Sequence, residues 1–284
     1  MVTIHNLKLT GYDDMVRSIF ISNKKYTPEI EDRIQAGELV RTILSNQDGV
    51  QDYLEEYWKI LELEGAGTVE DTKKELMENE HYVWYRKMIE KSLKIACGNL
   101  AEKSKDNNGF IDPKLIQTCH TTIGRFLDIS CTVSGLHRGA TDDFDAHGQT
   151  LDNRIVRMST RTNSPDSLNL SDYYIDKVIP ITDAGIELPP TIEKDGVKFV
   201  ISRFGYVRED CASNYDVLRG LTPLGISNLF TFKCNVTNWA HITKLRKAGT
   251  HAAPELQEMI ETINAKIAEM EPCLNDDFWT YLVR

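Results

Sequence analysis

The chain has 284 residues, of which 41% are apolar and 27% charged, and its formal net charge is −10. This length suits one large domain or two small ones, and the composition is that of a globular protein with enough apolar side chains for a core. An acidic surface repels phosphate backbones, so we expect no nucleic-acid partner. No apolar run approaches the roughly 18 residues that span a bilayer, and the N-terminus lacks signal-peptide features. We therefore expect a cytoplasmic protein without a membrane partner.

The six cysteines do not form any C-x-x-C pair. This disfavours a structural zinc site and thioredoxin-type chemistry, both of which need closely spaced thiols. In a reducing compartment we expect reduced, mostly buried thiols at these positions, which are Cys97, Cys119, Cys131, Cys211, Cys234 and Cys273.

Apolar spacing predicts helices in the first part of the chain. Residues Gln51–Leu63 place Leu54 and Trp58 on one helical face, and Glu80–Leu100 repeats this pattern. Asp112 followed by proline is typical of a helix start, and we expect that helix to continue to about Leu127.

The middle of the chain contains signals for β-structure. Residues Thr191–Lys194 and Val197–Ile201 flank the dipeptide Asp195-Gly196, which favours a tight hairpin turn because both central positions need a positive φ. Residues Val178–Ile181 could form a further short strand.

The last third returns to helical patterns. We predict one long helix over Ser227–Lys247, entered through a turn at Pro223 and Gly225, and a second helix that begins at Pro254. Its expected core residues recur at helical spacing and are Leu256, Met259, Ile260, Ile263, Ile267 and Met270.

These elements predict an α+β protein in which helices dominate and a small antiparallel sheet interrupts them. We treat residues 1–284 as a single domain, with a helical N-terminal part (1–110) and a part that carries the chemical motifs (111–284).

The segment GLHRGATDDFDAHGQ concentrates polar side chains, namely His137, Arg138, Thr141, Asp142, Asp143, Asp145 and His147. Its aspartates and last histidine are suitable metal ligands, although acidic loops more commonly just face water. The pair His137-Arg138 instead suits an anionic ligand.

Two further segments carry arginines. On the predicted long helix, Asn235, Trp239, Ile242 and Arg246 would share one face, which indicates either a partly exposed helix with a salt-bridged arginine or a contact with a planar ligand. In RIVRMSTR, Ser159 and Arg161 could grip an oxyanion, or the arginines could form a solvated basic patch.

Taken in order, these motifs resemble those of the flavin-dependent thymidylate synthases. The C-terminal signature of that family is matched by Arg219, Pro223-Leu224, Asn235, His241 and Leu245-Arg246. Leu136-His137-Arg138 is similar to the family's Arg-His-Arg motif, and Ser159-Thr160-Arg161 is similar to its Ser-x-Arg motif. The resemblance covers roughly residues 115 to 284 and implies that family's fold.

The resemblance also implies site roles. The residues that would hold deoxyuridine monophosphate (dUMP) are Ser159, Arg161, Arg219 and Arg246, with Arg246 against the uracil ring and Arg246 and Ser159 as the catalytic pair. The residues that would contact FAD are His137, Arg138, Thr141, Asn235 and His241. The implied reaction is reductive methylation of dUMP to dTMP, with methylenetetrahydrofolate and NADPH as cosubstrates, no metal and no cysteine nucleophile, in a homotetramer.

The chain departs from the family at several motif positions. Leu136 replaces an arginine, Thr237 stands where another arginine is usual, and an acidic insertion occupies residues 142–154. Fewer cations and an acidic loop weaken the binding of an anionic cofactor. Three alternatives therefore stay open: modification of another pyrimidine nucleotide, for example by hydroxymethylation; nucleotide binding without catalysis; and a metal site in the acidic segment.

Overall fold

The structure is a computed structural model that describes residues 1–46, 48–61, 68–96, 120–146, 154–159, 167–247, 249–276 and 278–279, with the backbone alone at positions 57–61 and 215. Several predictions lie outside these residues. They concern the helix start at Asp112, the end of the helix over Glu80–Leu100, and the site residues His147, Thr160 and Arg161.

The elements follow one another in this order: β1 (Thr3–Thr10), α1 (Tyr12–Ser22), α2 (Pro28–Ser45), α3 (Gly49–Leu61), α4 (Val69–Glu78), α5 (Glu80–Ala96), β2 (Asp128–His137), α6 (Arg138–Asp145), β3 (Arg154–Arg157), β4 (Thr191–Lys194), β5 (Val197–Ser202), β6 (Gly205–Arg208), α7 (Tyr215–Leu221), β7 (Ser227–Asn235), α8 (Val236–Arg246) and α9 (Pro254–Met270). Helices dominate and the sheets are small, which confirms the α+β class. Among the described helices, none combines the length and apolar character needed to cross a membrane.

The chain divides into two compact units. The sheet unit comprises Met1–Lys8, Ile129–Cys234 and His241–Met270, and the helical unit comprises Leu9–Asp128, Asn235–Ala240 and Glu271–Arg284. The prediction of one domain over residues 1–284 concerns how these units combine, and it stays a prediction.

The helical unit confirms the helices predicted near residues 51–63 and 80–100, which are α3 and α5. Helices α2 and α5 approach closely at Gly37, where a Cβ atom would overlap the Tyr85 side chain. The hydroxyl of the buried Tyr85 donates a hydrogen bond to Oε2 of Glu38 (2.9 Å), so the phenol group has a partner in the interior. The helix expected to reach Leu127 is wrong at its end, because Thr121–Phe126 is a 3₁₀ turn that leads into β2.

A four-stranded sheet with the order β1-β2-β7-β3 organises the sheet unit. The prediction of one helix over Ser227–Lys247 is wrong, because its first nine residues form β7. Every second residue of β7 is buried, as expected for a strand with one face in the core: Asn228, Phe230, Phe232 and Cys234. The helix starts only at Val236, after Asn235 has accepted the N–H of Asn238 (2.9 Å) as its N-cap.

The second sheet is an antiparallel meander of β4, β5 and β6. Asp195 and Gly196 have φ angles of 53° and 74°, which confirms the predicted hairpin turn. The predicted strand over Val178–Ile181 is wrong. Val178 closes a turn by donating to the carbonyl of Tyr174 (3.0 Å), and Pro180 cannot donate to a ladder.

The last helix, α9, begins at Pro254 as predicted. Five of the six expected core residues are fully buried in it, which are Leu256, Met259, Ile260, Ile263 and Ile267. The sixth prediction is wrong: Met270 ends the helix and is 47% exposed.

Candidate functional site

The short helix α6 starts where β2 ends, and His137 forms the junction. Nε2 of His137 accepts the backbone N–H of Ala140 (3.1 Å), so the ring is the N-cap of α6. Because Nε2 is an acceptor, the proton is on Nδ1, which donates to Oε1 of Glu255 in the first turn of α9. His137 is buried, and both of its ring nitrogens are engaged within the sheet unit.

The next two predicted site residues, Arg138 and Thr141, lie within α6. The backbone N–H of Arg138 donates to the carbonyl of Ile226 (2.9 Å), and Nε of its guanidinium lies 3.9 Å from Oδ2 of Asp142. Thr141 is fully buried, and its hydroxyl donates to the carbonyl of His137 (3.2 Å). This hydroxyl is therefore used within the helix.

The aspartates of α6 pair with arginines from other elements of the sheet unit. Asp142 binds Arg157 of β3, and Oδ2 of Asp145 lies 3.3 Å from Nη2 of the same arginine. Asp143 accepts from Nη2 of Arg246 (2.8 Å). The expectation of an acidic loop is thus wrong for residues 142–145, which are helical and ion-paired.

These ion pairs bear on the metal alternative. A guanidinium group beside a carboxylate competes electrostatically with a metal cation for the same oxygens. Within the part of the chain that the structure describes, no three His, Cys, Asp or Glu side chains group as metal ligands would, and His147 lies outside that part.

Arg246 is the last residue of α8 and exposes 23% of its side chain. Its Nε is buried and has no hydrogen-bond partner among the described residues. The interpretation of the helix face that leads to it needs correction, because Trp239 and Ile242 are fully buried in the core. Asn235 precedes the helix and belongs to the helical unit.

The remaining predicted site residues are placed as follows. Ser159 is exposed just after β3, and Arg219 is exposed on α7 and makes no ion pair with any residue described. His241 is half-buried on α8. The described contacts therefore gather His137, Arg138, Thr141 and Arg246 around α6.

Sequence reasoning missed two residues of this group. Glu255 lies in the first turn of α9, where an acidic residue is favourable to the helix dipole, and its role as the partner of His137 depends on a contact between residues 118 positions apart. Asp143 was visible as one of three aspartates, with nothing to indicate which arginine it faces.

The comparisons with known proteins give only distant matches. No family model matches the sequence, and no curated protein matches it. Among solved structures, the chain is similar to thymidylate synthase X from Helicobacter pylori crystallised with FAD and dUMP, at 11% identity and a TM-score of 0.43 over 98% of each chain. It is also similar to a UMP/dUMP methylase, PolB, from Streptomyces cacaoi bound with 5-Br dUMP, at 12% identity and a TM-score of 0.40 over 67% of this chain and 92% of that chain. Similarities at this level do not decide the family or the activity of this chain.

Proposed function

We propose that this chain binds dUMP and converts it to dTMP in the manner of the flavin-dependent thymidylate synthases. The observation that carries the proposal is the ordered set of family-like motifs from Leu136 to Arg246. The first and last of these residues both belong to the sheet unit, in which Asp143 of α6 pairs with Arg246. The resemblance alone adds FAD, NADPH and methylenetetrahydrofolate to the proposal, together with a homotetramer.

Arginine chemistry supports the nucleotide part of this proposal. Arg219 is exposed and without an ion pair to any described residue, so its fork of N–H donors suits a phosphate dianion. Arg246 is partly shielded from water, where an N–H donor to a uracil carbonyl stabilises negative charge on the ring more strongly than in solvent. Ser159 and Arg161 complete the proposed nucleotide contacts.

The residues proposed for FAD fit that cofactor less well. Arg138 is already close to Asp142, and both ring nitrogens of His137 are engaged. In the described part of this motif, each basic side chain therefore already has a partner within the protein, which disfavours the binding of the FAD diphosphate. We derive no step of the reaction through the flavin. Thr141 is fully buried with its hydroxyl bound to the carbonyl of His137, and the Asn235 side chain caps α8, so these two residues also fit a cofactor poorly. His241 stays in the proposal as a cofactor contact through the resemblance.

This same charge pairing favours a second candidate function, the binding or modification of a pyrimidine deoxynucleotide without FAD. The two candidates differ in a simple observable. Bound FAD gives a yellow protein with a flavin absorption band, whereas the second candidate predicts a colourless protein that still binds dUMP.

The test is titration calorimetry of the full chain with dUMP, before and after incubation with FAD. We expect saturable dUMP binding that Arg246→Ala weakens at least tenfold, because a charged hydrogen bond to the ring is lost. The matched control is Arg208→Ala, which removes an exposed arginine paired with Asp210 and is expected to leave binding unchanged. Absence of dUMP binding by the unmodified chain would contradict the proposal. Rescue of a thymidine-requiring strain then tests turnover.

A further inference from the structure

One ion pair of α6 fixes a residue of the proposed nucleotide site. Oδ1 of Asp143 accepts from Nη2 of Arg246 at 2.8 Å, although the two residues are 103 positions apart in the chain. The Asp143 side chain is 41% exposed and that of Arg246 is 23% exposed. The pair therefore lies at the edge of the interior, where a ligand can reach a guanidinium group that is already partly desolvated.

Among the described residues, Asp143 is the one hydrogen-bond partner of the Arg246 guanidinium. Its Nε is buried without a hydrogen-bond partner among the described residues, so no second described contact at that atom fixes the plane of the group. Within the described chain, the Asp143 carboxylate is thus the group that sets the direction of the guanidinium donors.

Orientation matters because a free arginine has many rotamers. A ligand that binds such an arginine must first restrict it, which lowers the affinity, whereas an arginine already held by a carboxylate has lost that freedom beforehand. A planar fork held in this way presents its remaining N–H groups in a fixed direction.

We propose that Asp143 is a positioning residue for the nucleotide: it holds Arg246 so that the free guanidinium donors other than the buried Nε face the pyrimidine ring. This rests on the proposed function, in which Arg246 contacts the base. Asp143 acts only through Arg246 and does not itself touch the nucleotide. Simple competition between the carboxylate and the ligand would have the opposite effect, since removal of Asp143 would then strengthen binding.

The experiment is a double-mutant cycle on dUMP affinity, measured by titration calorimetry with Asp143→Ala, Arg246→Ala and the double variant. We expect Asp143→Ala to raise the Kd about tenfold, and to change it less than about twofold when Arg246 is already alanine. Asp143→Asn retains the shape and one acceptor and serves if the alanine variant does not fold. Asp183→Asn, which neutralises an aspartate paired with Arg203 in the same unit, is the matched control and should leave the Kd unchanged.

The possible outcomes separate the two proposals. An unmodified chain that binds no dUMP would overturn the proposed function and the nucleotide role of Asp143 with it. If the unmodified chain binds dUMP, then an unchanged or lower Kd for Asp143→Ala would overturn the positioning role alone. The positioning role would also be overturned if Asp143→Ala raised the Kd by the same factor with arginine and with alanine at position 246, since Asp143 would then act by another route.

Discussion

Nδ1 of His137 donates a hydrogen bond to Oε1 of Glu255, and this buried contact joins the start of α6 to the first turn of α9. Glu255 is 4% exposed, and its second oxygen, Oε2, has no partner among the described residues. A buried carboxylate costs desolvation free energy, which its hydrogen bond to His137 and its place at a helix N-terminus offset. The contact therefore fixes the N-cap of α6. It thereby also holds the helix whose aspartates pair with Arg157 and Arg246.

Replacing Glu255 tests how much this contact stabilises the fold. We expect Glu255→Ala to lower the free energy of unfolding by about 2–4 kcal/mol, because it leaves the Nδ1–H of His137 buried without an acceptor. Glu255→Gln keeps an acceptor and should cost only about 1 kcal/mol. Chemical denaturation of the variants measures both values. Glu258→Ala, an exposed position on the same helix, is the control, and a loss as large as that of Glu255→Ala would refute the assignment.

Phe144 anchors the other end of α6 on the sheet. Its ring centroid lies 5.7 Å from that of Phe230 and 5.1 Å from that of Phe232, and it is fully buried. Phe144→Ala should lower the free energy of unfolding by about 3–5 kcal/mol, because it removes a buried ring and leaves a cavity. Val156→Ala removes apolar atoms from a position that is 77% exposed and should change stability by less than about 0.5 kcal/mol. Similar losses for the two variants in thermal unfolding would show that α6 does not pack as described.

The success of the sequence predictions depended on how local each signal was. The turn at Asp195 and Gly196 and the start of α9 at Pro254 were predictable, because each depends on backbone preferences of one or two residues. The error in β7 had a visible cause: Phe230 and Phe232 alternate with polar residues, a period of two that a helix does not have. The helical interpretation came from the residues that follow Val236.

The site was less predictable because its contacts are long-range. The motifs single out His137 and Arg246 as polar side chains, but the partners of these residues, Glu255 and Asp143, lie more than a hundred positions away. Only the packing of β2, α6, α8 and α9 brings these pairs together. The sequence shows which polar side chains are present, but which of them pair depends on long-range packing in the folded chain.

The thiols give a test of burial that is independent of function. Burial raises the pKa of the Cys131 thiol to about 12, and Cys234 is fully buried on β7. Since the thiolate is the reactive form, both should resist alkylation by iodoacetamide at pH 8 in the native protein, whereas the partly exposed Cys211 should react. Peptide mass spectrometry before and after denaturation measures this. Labelling of Cys131 as fast as Cys211 in the native state would contradict the placement of β2.

In the helical unit, Glu31 provides a test of pH dependence. Its two carboxylate oxygens accept from Nε and Nη2 of Arg17, each at 2.9 Å, and this bidentate hydrogen bonding lowers the pKa of Glu31 from 4.5 to about 2. Because the pKa in the folded state lies below that in the unfolded state, the stabilisation is complete above about pH 4.5 and is lost as the pH falls towards 2.

Glu31→Gln should therefore be less stable than the unmodified chain at pH 7, by about 1 kcal/mol, since the pair is partly exposed and screened by solvent. The difference should shrink below about pH 4.5 and be mostly lost near pH 2, where Glu31 is protonated in the unfolded state and about half protonated in the folded state. Urea denaturation between pH 2.5 and pH 7 measures it. Glu75→Gln makes the same change of charge at an exposed position of α4 and should show no comparable pH-dependent gap. A gap between Glu31→Gln and the unmodified chain that stays constant with pH would mean that the Arg17 ion pair is not its source.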